Sequence, residues 1–191
     1  LKDSVVDLVV TSPPYVNAID YVRAHKFSLS WLGYPIEGLT EKRTKYIGAE
    51  KYNSENLNDF PETVRKILQS LGEKDAKKAG VARKYFVDMK AALGEMHRVL
   101  KPRKAAIIVV GTSTIRDINV QTHLCLATLA EQVGFDLVDI AERKLDRNKR
   151  MMPARFGKQE STIELRMHSE YVIGLIKGSK CQHARKPQRT L

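Results

Sequence analysis

Val5-Val6-Asp7-Leu8-Val9-Val10, running into Thr11-Ser12-Pro13-Pro14-Tyr15, is the stretch on which the fold turns. Its first half is short, β-branched and nearly unbroken in apolar character. A strand buried on both faces of a parallel sheet reads this way. Two successive prolines then forbid a central strand from continuing, because neither has an N–H to give to a ladder. The chain must therefore turn at Ser12-Pro13.

Working outward, the segment from about Ala18 to Leu32 reads as a helix, with Tyr21, Phe27, Leu29, Trp31 and Leu32 as its apolar candidates. Residues 35–84 change character. They are polar, charge-rich and helix-prone, with Pro35 and Pro61 as punctuation, and they read as a helical insertion or lid. From Tyr85 to Leu100 the apolar residues Phe86, Met89, Leu93, Met96 and Leu100 fall three and four apart, the period of a helix. Lys101-Pro102 is expected to end that helix. Ala105 to Gly111 reads as a second buried strand. Residues 120–133 form another amphipathic helix, which Gly134 closes. Phe135–Leu145 and Glu170–Lys177 read as strands with no convincing helix between them. A parallel pair needs a crossover, so this last pair is expected to be antiparallel. The alternation of strands and helices predicts an α/β fold with a mostly parallel sheet. Residues 1–178 make one domain, and the basic tail 179–191 is expected to be disordered.

Composition narrows the partners. The chain has 191 residues, of which 42% are hydrophobic, enough for a real core. It has 33 Lys and Arg against 22 Asp and Glu, a net charge of +11. That excess raises the weight of a polyanionic partner, since cations that meet phosphates release counterions. A soluble basic protein with no nucleic-acid role is the plainer alternative. No apolar run reaches the length of a membrane span, and no signal sequence opens the chain. The two cysteines, Cys125 and Cys181, are far apart and suggest a reducing compartment. The five histidines form no metal-like cluster in the sequence, so no metal site is expected.

Ser12-Pro13-Pro14-Tyr15 resembles the catalytic signature of the AdoMet-dependent DNA amino-methyltransferases, the N4-cytosine and N6-adenine methylases: a polar residue, two prolines and an aromatic. Glu95-Met96-His97-Arg98-Val99-Leu100-Lys101-Pro102 is similar to the helix end before the next strand in many AdoMet methyltransferases. Ala18–Lys26 and Thr44–Glu50 look like segments downstream of the signature in bacterial DNA methylases, and Ser169–Ile176 looks like the last strand of that fold. The resemblance implies a partial Rossmann-like AdoMet methyltransferase sheet, mostly parallel with an antiparallel terminal strand, and S-adenosyl-L-methionine as cofactor.

The chemistry that the resemblance implies fits these residue types. An exocyclic amino group is a weak nucleophile because its lone pair is delocalised into the ring. Ser12 Oγ and the Pro13 carbonyl can both accept its N–H bonds, and Pro13-Pro14 fixes the direction of that carbonyl. Tyr15 would stack on the base once it has left the duplex. A serine in the first position leans toward cytosine N4 over adenine N6. The plainer reading is a Pro-Pro turn with Tyr15 as packing. Asp20, Tyr21 and Arg23 are candidates for the pocket wall, or ordinary helix surface. Arg143, Lys144, Arg147, Lys149, Arg150, Arg155 and Lys158, with Asp146 as the one acid among them, form a basic loop read as a phosphate contact.

One feature of the family is missing. Its Gly-rich cofactor loop relies on close backbone approach that only glycine permits. No Gly-x-Gly occurs among the 11 glycines of this chain, so the cofactor-binding residues are unknown. The expectation is that a missing N-terminal segment, or a second chain, supplies the AdoMet half. The setting implied is a prokaryotic cytoplasm, in modification or restriction-modification. The rival readings are a non-catalytic DNA-binding subunit and a methyltransferase acting on RNA or protein nitrogen. Cys125, with no preceding proline, does not look like a cytosine C5 nucleophile.

Overall fold

The computed structural model describes residues 1–16, 25–35, 47, 59–144 and 169–178. The main sheet has four strands in the order β1 (Val6–Thr11), β2 (Leu100–Gly111), β6 (Ser169–Lys177) and β5 (Phe135–Lys144). A two-stranded ribbon, β3 (Thr114–Ile115) with β4 (Ile118–Asn119), sits between β2 and the last helix. The helices are α1 (Lys26–Trp31), α2 (Glu62–Lys74), α3 (Ala76–Val99) and α4 (Thr122–Gln132).

β1 pairs with β2 in parallel. β6 is antiparallel to both of its neighbours, β2 and β5. Three strands thus run one way and β6 the other. The expected antiparallel terminal pair is present. β6 inserts between β2 and β5, so antiparallel pairings outnumber the parallel one in a sheet expected to be mostly parallel.

The helices cover one face of this sheet. Alternate residues Ala106, Ile108 and Val110 of β2, with Ile173 and Leu175 of β6, are buried. They meet Tyr85, Phe86, Met89 and Leu93 of α3 and Leu126 and Leu129 of α4 in one core. The spacing of the four α3 residues is the 3.6 period expected of a helix face against a sheet. Each such side chain contributes about 1.5–3 kcal/mol relative to exposure.

α3 begins nine residues before Tyr85. Asp75 is its N-cap and accepts from the Lys78 backbone N–H at 3.0 Å; such a cap satisfies one of the orphan donors of the first turn. Lys77, Lys78, Arg83 and Lys84 hide the period there, yet Val81 and Ala82 are buried. α2 contributes Val64, Leu68 and Leu71 to the core. Residues 62–84, expected within an insertion or lid, are therefore core helices, because their apolar positions align on one face. At the other end of α3, Lys177 Nζ donates to the carbonyls of Leu100 at 2.7 Å and Arg98 at 3.3 Å. A cation placed there answers carbonyls that the helix leaves unpaired. α4 closes at Gly134, which adopts φ +107° and donates its N–H to Glu131 O at 3.1 Å, a left-handed stop as the sequence implies.

Two sequence readings need correction. β1 is not buried on both faces. Among the described residues it is an edge strand, with Leu8 54% and Val10 62% exposed. β2 begins at Leu100 rather than Ala105, and between Val6 and Leu8 its register slips, pairing Leu100 and then Ala105. Pro102 and Arg103, the latter at φ +61°, lie in that irregular stretch, where a missing ladder donor is tolerated. In α1, no residue is buried; Phe27 and Trp31 are 88% and 92% exposed. The expected helix over 18–24 and the basic tail 179–191 lie outside the described residues.

Candidate active site

Ser12-Pro13-Pro14-Tyr15 follows directly on the carboxyl end of β1. In α/β sheets, ligands gather at the carboxyl ends of parallel strands. Ser12 is exposed, Pro13 is buried and Val16 is 1% exposed. The turn is therefore anchored by the buried Pro13 and Val16 that follow an accessible serine. Among these four residues only Ser12 and Tyr15 carry a backbone N–H. The turn is poor in donors and rich in acceptors: Ser12 Oγ, its own carbonyl and that of Pro13. It suits a ligand that donates hydrogen bonds, such as an amino group.

Tyr15 is tied down from across the sheet. Its hydroxyl donates to Glu170 Oε1 at 3.2 Å. Glu170 stands near the start of β6, opposite Gly111 at the end of β2 and opposite Arg143 on β5. Arg143 Nη2 donates to Glu170 Oε2. The carboxylate side chain is 15% exposed, against 64% for Arg143. Glu170 drew attention in the sequence only as part of the last strand; an acid opening an apolar strand was the available signal.

Beside this group, on the helix-covered face, His123 of α4 stacks on Tyr171 with centroids 3.7 Å apart and planes 7° from parallel. Burial holds the His123 pKa below the usual range, opposed by the nearby Glu142 carboxylate. His123 Nδ1 is buried with no hydrogen-bond partner among the described residues, which favours the neutral ring. The stack is a packed contact between α4 and β6.

Of the expected phosphate contacts, Arg143 and Lys144 lie at the end of β5, the end that pairs with Ser169 and Glu170. Arg147, Lys149, Arg150, Arg155 and Lys158, with Asp20, Tyr21 and Arg23, lie outside the described residues. Cys125 is buried, its Sγ 3.5 Å from Val120 O, and burial pushes its thiol up to about 12. An inert thiol fits the exclusion of covalent cysteine chemistry. No group of three or more potential metal ligands occurs among the described residues. No described helix is long and apolar enough to cross a membrane.

The turn after β1 does not fit a cradle of backbone donors for S-adenosyl-L-methionine. It has prolines at two of its four positions, so it cannot present the successive N–H groups of a nest. Nor does any described strand end in a Gly-x-Gly turn. What is present is an acceptor-rich corner with one aromatic ring.

No family model matches the chain. Among curated proteins it is 27% identical over 179 residues to the type II methyltransferase M.MvaI of Kocuria varians, an alignment covering 88% of this chain and 38% of that one. It is 28% identical over 152 residues to the type II methyltransferase M.AvaI of Nostoc sp. strain PCC 7120, covering 70% and 32%. Among solved structures it is similar to a protein of Thermus thermophilus described as a DNA modification methylase, with TM-score 0.47 and 17% identity over 99% of this chain and 52% of that one. The chain thus spans between about a third and two fifths of the length of the curated relatives it matches. Over most of its own length, the chain is similar to the type II methyltransferases M.MvaI and M.AvaI.

Proposed function

We propose that this chain is the base-binding half of an AdoMet-dependent DNA methyltransferase that modifies an exocyclic amino group, cytosine N4 in preference to adenine N6. The observation that carries the reading is the acceptor-rich Ser12-Pro13-Pro14-Tyr15 turn at the carboxyl end of β1, in a chain similar to type II methyltransferases. Ser12 Oγ and the Pro13 carbonyl accept the two amino protons and hold the nitrogen lone pair away from the ring. Tyr15 stacks on the extruded base. These residues supply orientation, which is a large part of what such a reaction asks of a protein. Lys144 and the basic residues from Arg147 to Lys158 contact phosphates beside the pocket.

The cofactor half comes from elsewhere, from a further segment of the same polypeptide or from a partner chain. Two observations support this. The turn lacks the backbone donors a nucleoside sulfonium cofactor needs. The edge of β1 is open among the described residues, and Leu8 and Val10 are exposed on it; an apolar strand edge is a template for pairing with another strand. Together the halves complete a Rossmann-like sheet. Residues 36–58 are left as the part of the proposed lid outside the core helices.

The test is methyl transfer by the complete protein to duplex DNA, RNA and protein, with the modified nucleoside identified by mass spectrometry. N4-methylcytosine in DNA, with Ser12→Ala lowering the rate about 100-fold or more, is the expected result. Methyl transfer to RNA or protein alone would overturn the reading. A second reading, a DNA-binding subunit without catalysis, is favoured by the same lack of backbone donors in the turn. It predicts that Ser12→Ala changes nothing.

A further inference from the structure

We infer that Glu170 is the positioning residue for Tyr15, and that Arg143 serves this pair rather than the DNA backbone. The inference rests on the reading of Tyr15 as the ring that stacks on the target base. A tyrosine on a turn can swing about its first side-chain torsion, and a stacking platform that swings orients nothing. Tyr15 is fixed at both ends. Its backbone follows Pro13-Pro14 and precedes the buried Val16. Its hydroxyl reaches across the sheet to Glu170 Oε1 at 3.2 Å.

The far anchor is rigid for a traceable reason. Glu170 belongs to the central antiparallel strand, with Gly111 of β2 on one side and Arg143 of β5 on the other. Gly111 lies between the β1 turn and Glu170 in the strand order and carries no side chain to stand in the way. An ionised carboxylate is acceptor-only, so the phenol must donate. Such charge-assisted bonds are stronger than neutral ones. Glu170 is largely shielded from water and needs a counter-charge, which Arg143 supplies on the second oxygen. A guanidinium so engaged is withdrawn from the phosphate-contacting set to which its place in the basic run would assign it.

The test is a mutant cycle in the complete methyltransferase, read as single-turnover methylation rate and DNA Kd separately. Tyr15→Phe and Glu170→Ala should each slow methylation about tenfold, and the double variant should be no slower than either, because both remove one interaction. DNA Kd should stay unchanged in all three, and Glu170→Gln, which keeps an acceptor oxygen, should recover part of the rate. A merely structural role for Glu170 would give additive losses, and that result overturns the inference. So does a wild-type rate in Tyr15→Phe. If Tyr15→Ala itself keeps the full rate, the stacking reading fails first. If Tyr15→Ala is slow while Tyr15→Phe and Glu170→Ala are wild type, only the positioning claim fails. In the chain by itself, the ¹³Cζ resonance of Tyr15 should move in Glu170→Gln and stay fixed in Glu142→Ala; no movement in Glu170→Gln also overturns it.

Discussion

The two faces of the main sheet come from the same strands and have had different fates. On one face, Ala106, Ile108, Val110, Ile173 and Leu175 are buried beneath α3 and α4. On the other, Ile107, Val109, Val172 and Ile176 are only partly covered, and Leu8, Val10 and Val138 are exposed. Both sets are apolar, and alternation along a strand sends one set to each face. Soluble sheets with one wet face carry polar residues there. Here the β5 side of the second face does carry them, Asp136, Asp139 and Arg143 with Glu170 of β6, whereas its apolar part over β1 and β2, with Val172 and Ile176, is the part suited to being covered. The candidate site lies where that face, the open β1 edge and the carboxyl end of β1 meet, with Glu170 and Arg143 in the same alternation as Val172.

The sharpest way to break the comparison is by truncation on each face. Leu126→Ala, in the covered layer, should lower the stability of the chain by about 3 kcal/mol, from lost burial and the cavity left behind. Val10→Thr, on the open face, should change it by less than about 0.5 kcal/mol while weakening association with the cofactor half. Urea denaturation of the two variants measures both stabilities. Equal losses would mean that the second face is already covered within this chain, and the contrast would collapse.

A smaller effect distinguishes the faces by pH. His97, in edge-to-face contact with Phe135, and His123, stacked on Tyr171, belong to the covered side. Burial holds both below the ordinary value of 6.5. The unfolded chain therefore takes up protons first as pH falls, and stability is lost from about pH 6.5 downward. It is fully present above that value. Thermal unfolding at pH 8 and pH 5 should show a lower Tm at pH 5, with the difference reduced in His97→Phe and His123→Phe. A Tm gap unchanged in both variants would assign the acid sensitivity to other groups.

How much of this was legible in the residues differs between the faces too. The covered side could be read from period alone: Phe86, Met89 and Leu93 marked α3, and Gly134 marked the end of α4. The early turns of α3 were hidden because Lys77, Lys78, Arg83 and Lys84 interrupt the apolar pattern over buried Val81 and Ala82. The open side misled in an informative way. Val5 to Val10 has the composition of a strand buried on both faces, and only the strand order reveals that, among the described residues, β1 pairs with β2 alone. Ser12, Pro13 and Tyr15 stand out in the sequence as candidates because prolines fix geometry locally. Glu170 does not, since the role proposed for it depends on a contact 155 residues away in the chain that no local pattern encodes.

The central claim is that one flank of this fold is complete and the other awaits the half that binds S-adenosyl-L-methionine. Calorimetric titration of that cofactor into the chain by itself tests it most directly. The account predicts no detectable heat of binding, and its appearance only after the complementary half is added. Micromolar binding to this chain by itself would contradict the account, because the cofactor cradle would then lie within these 191 residues.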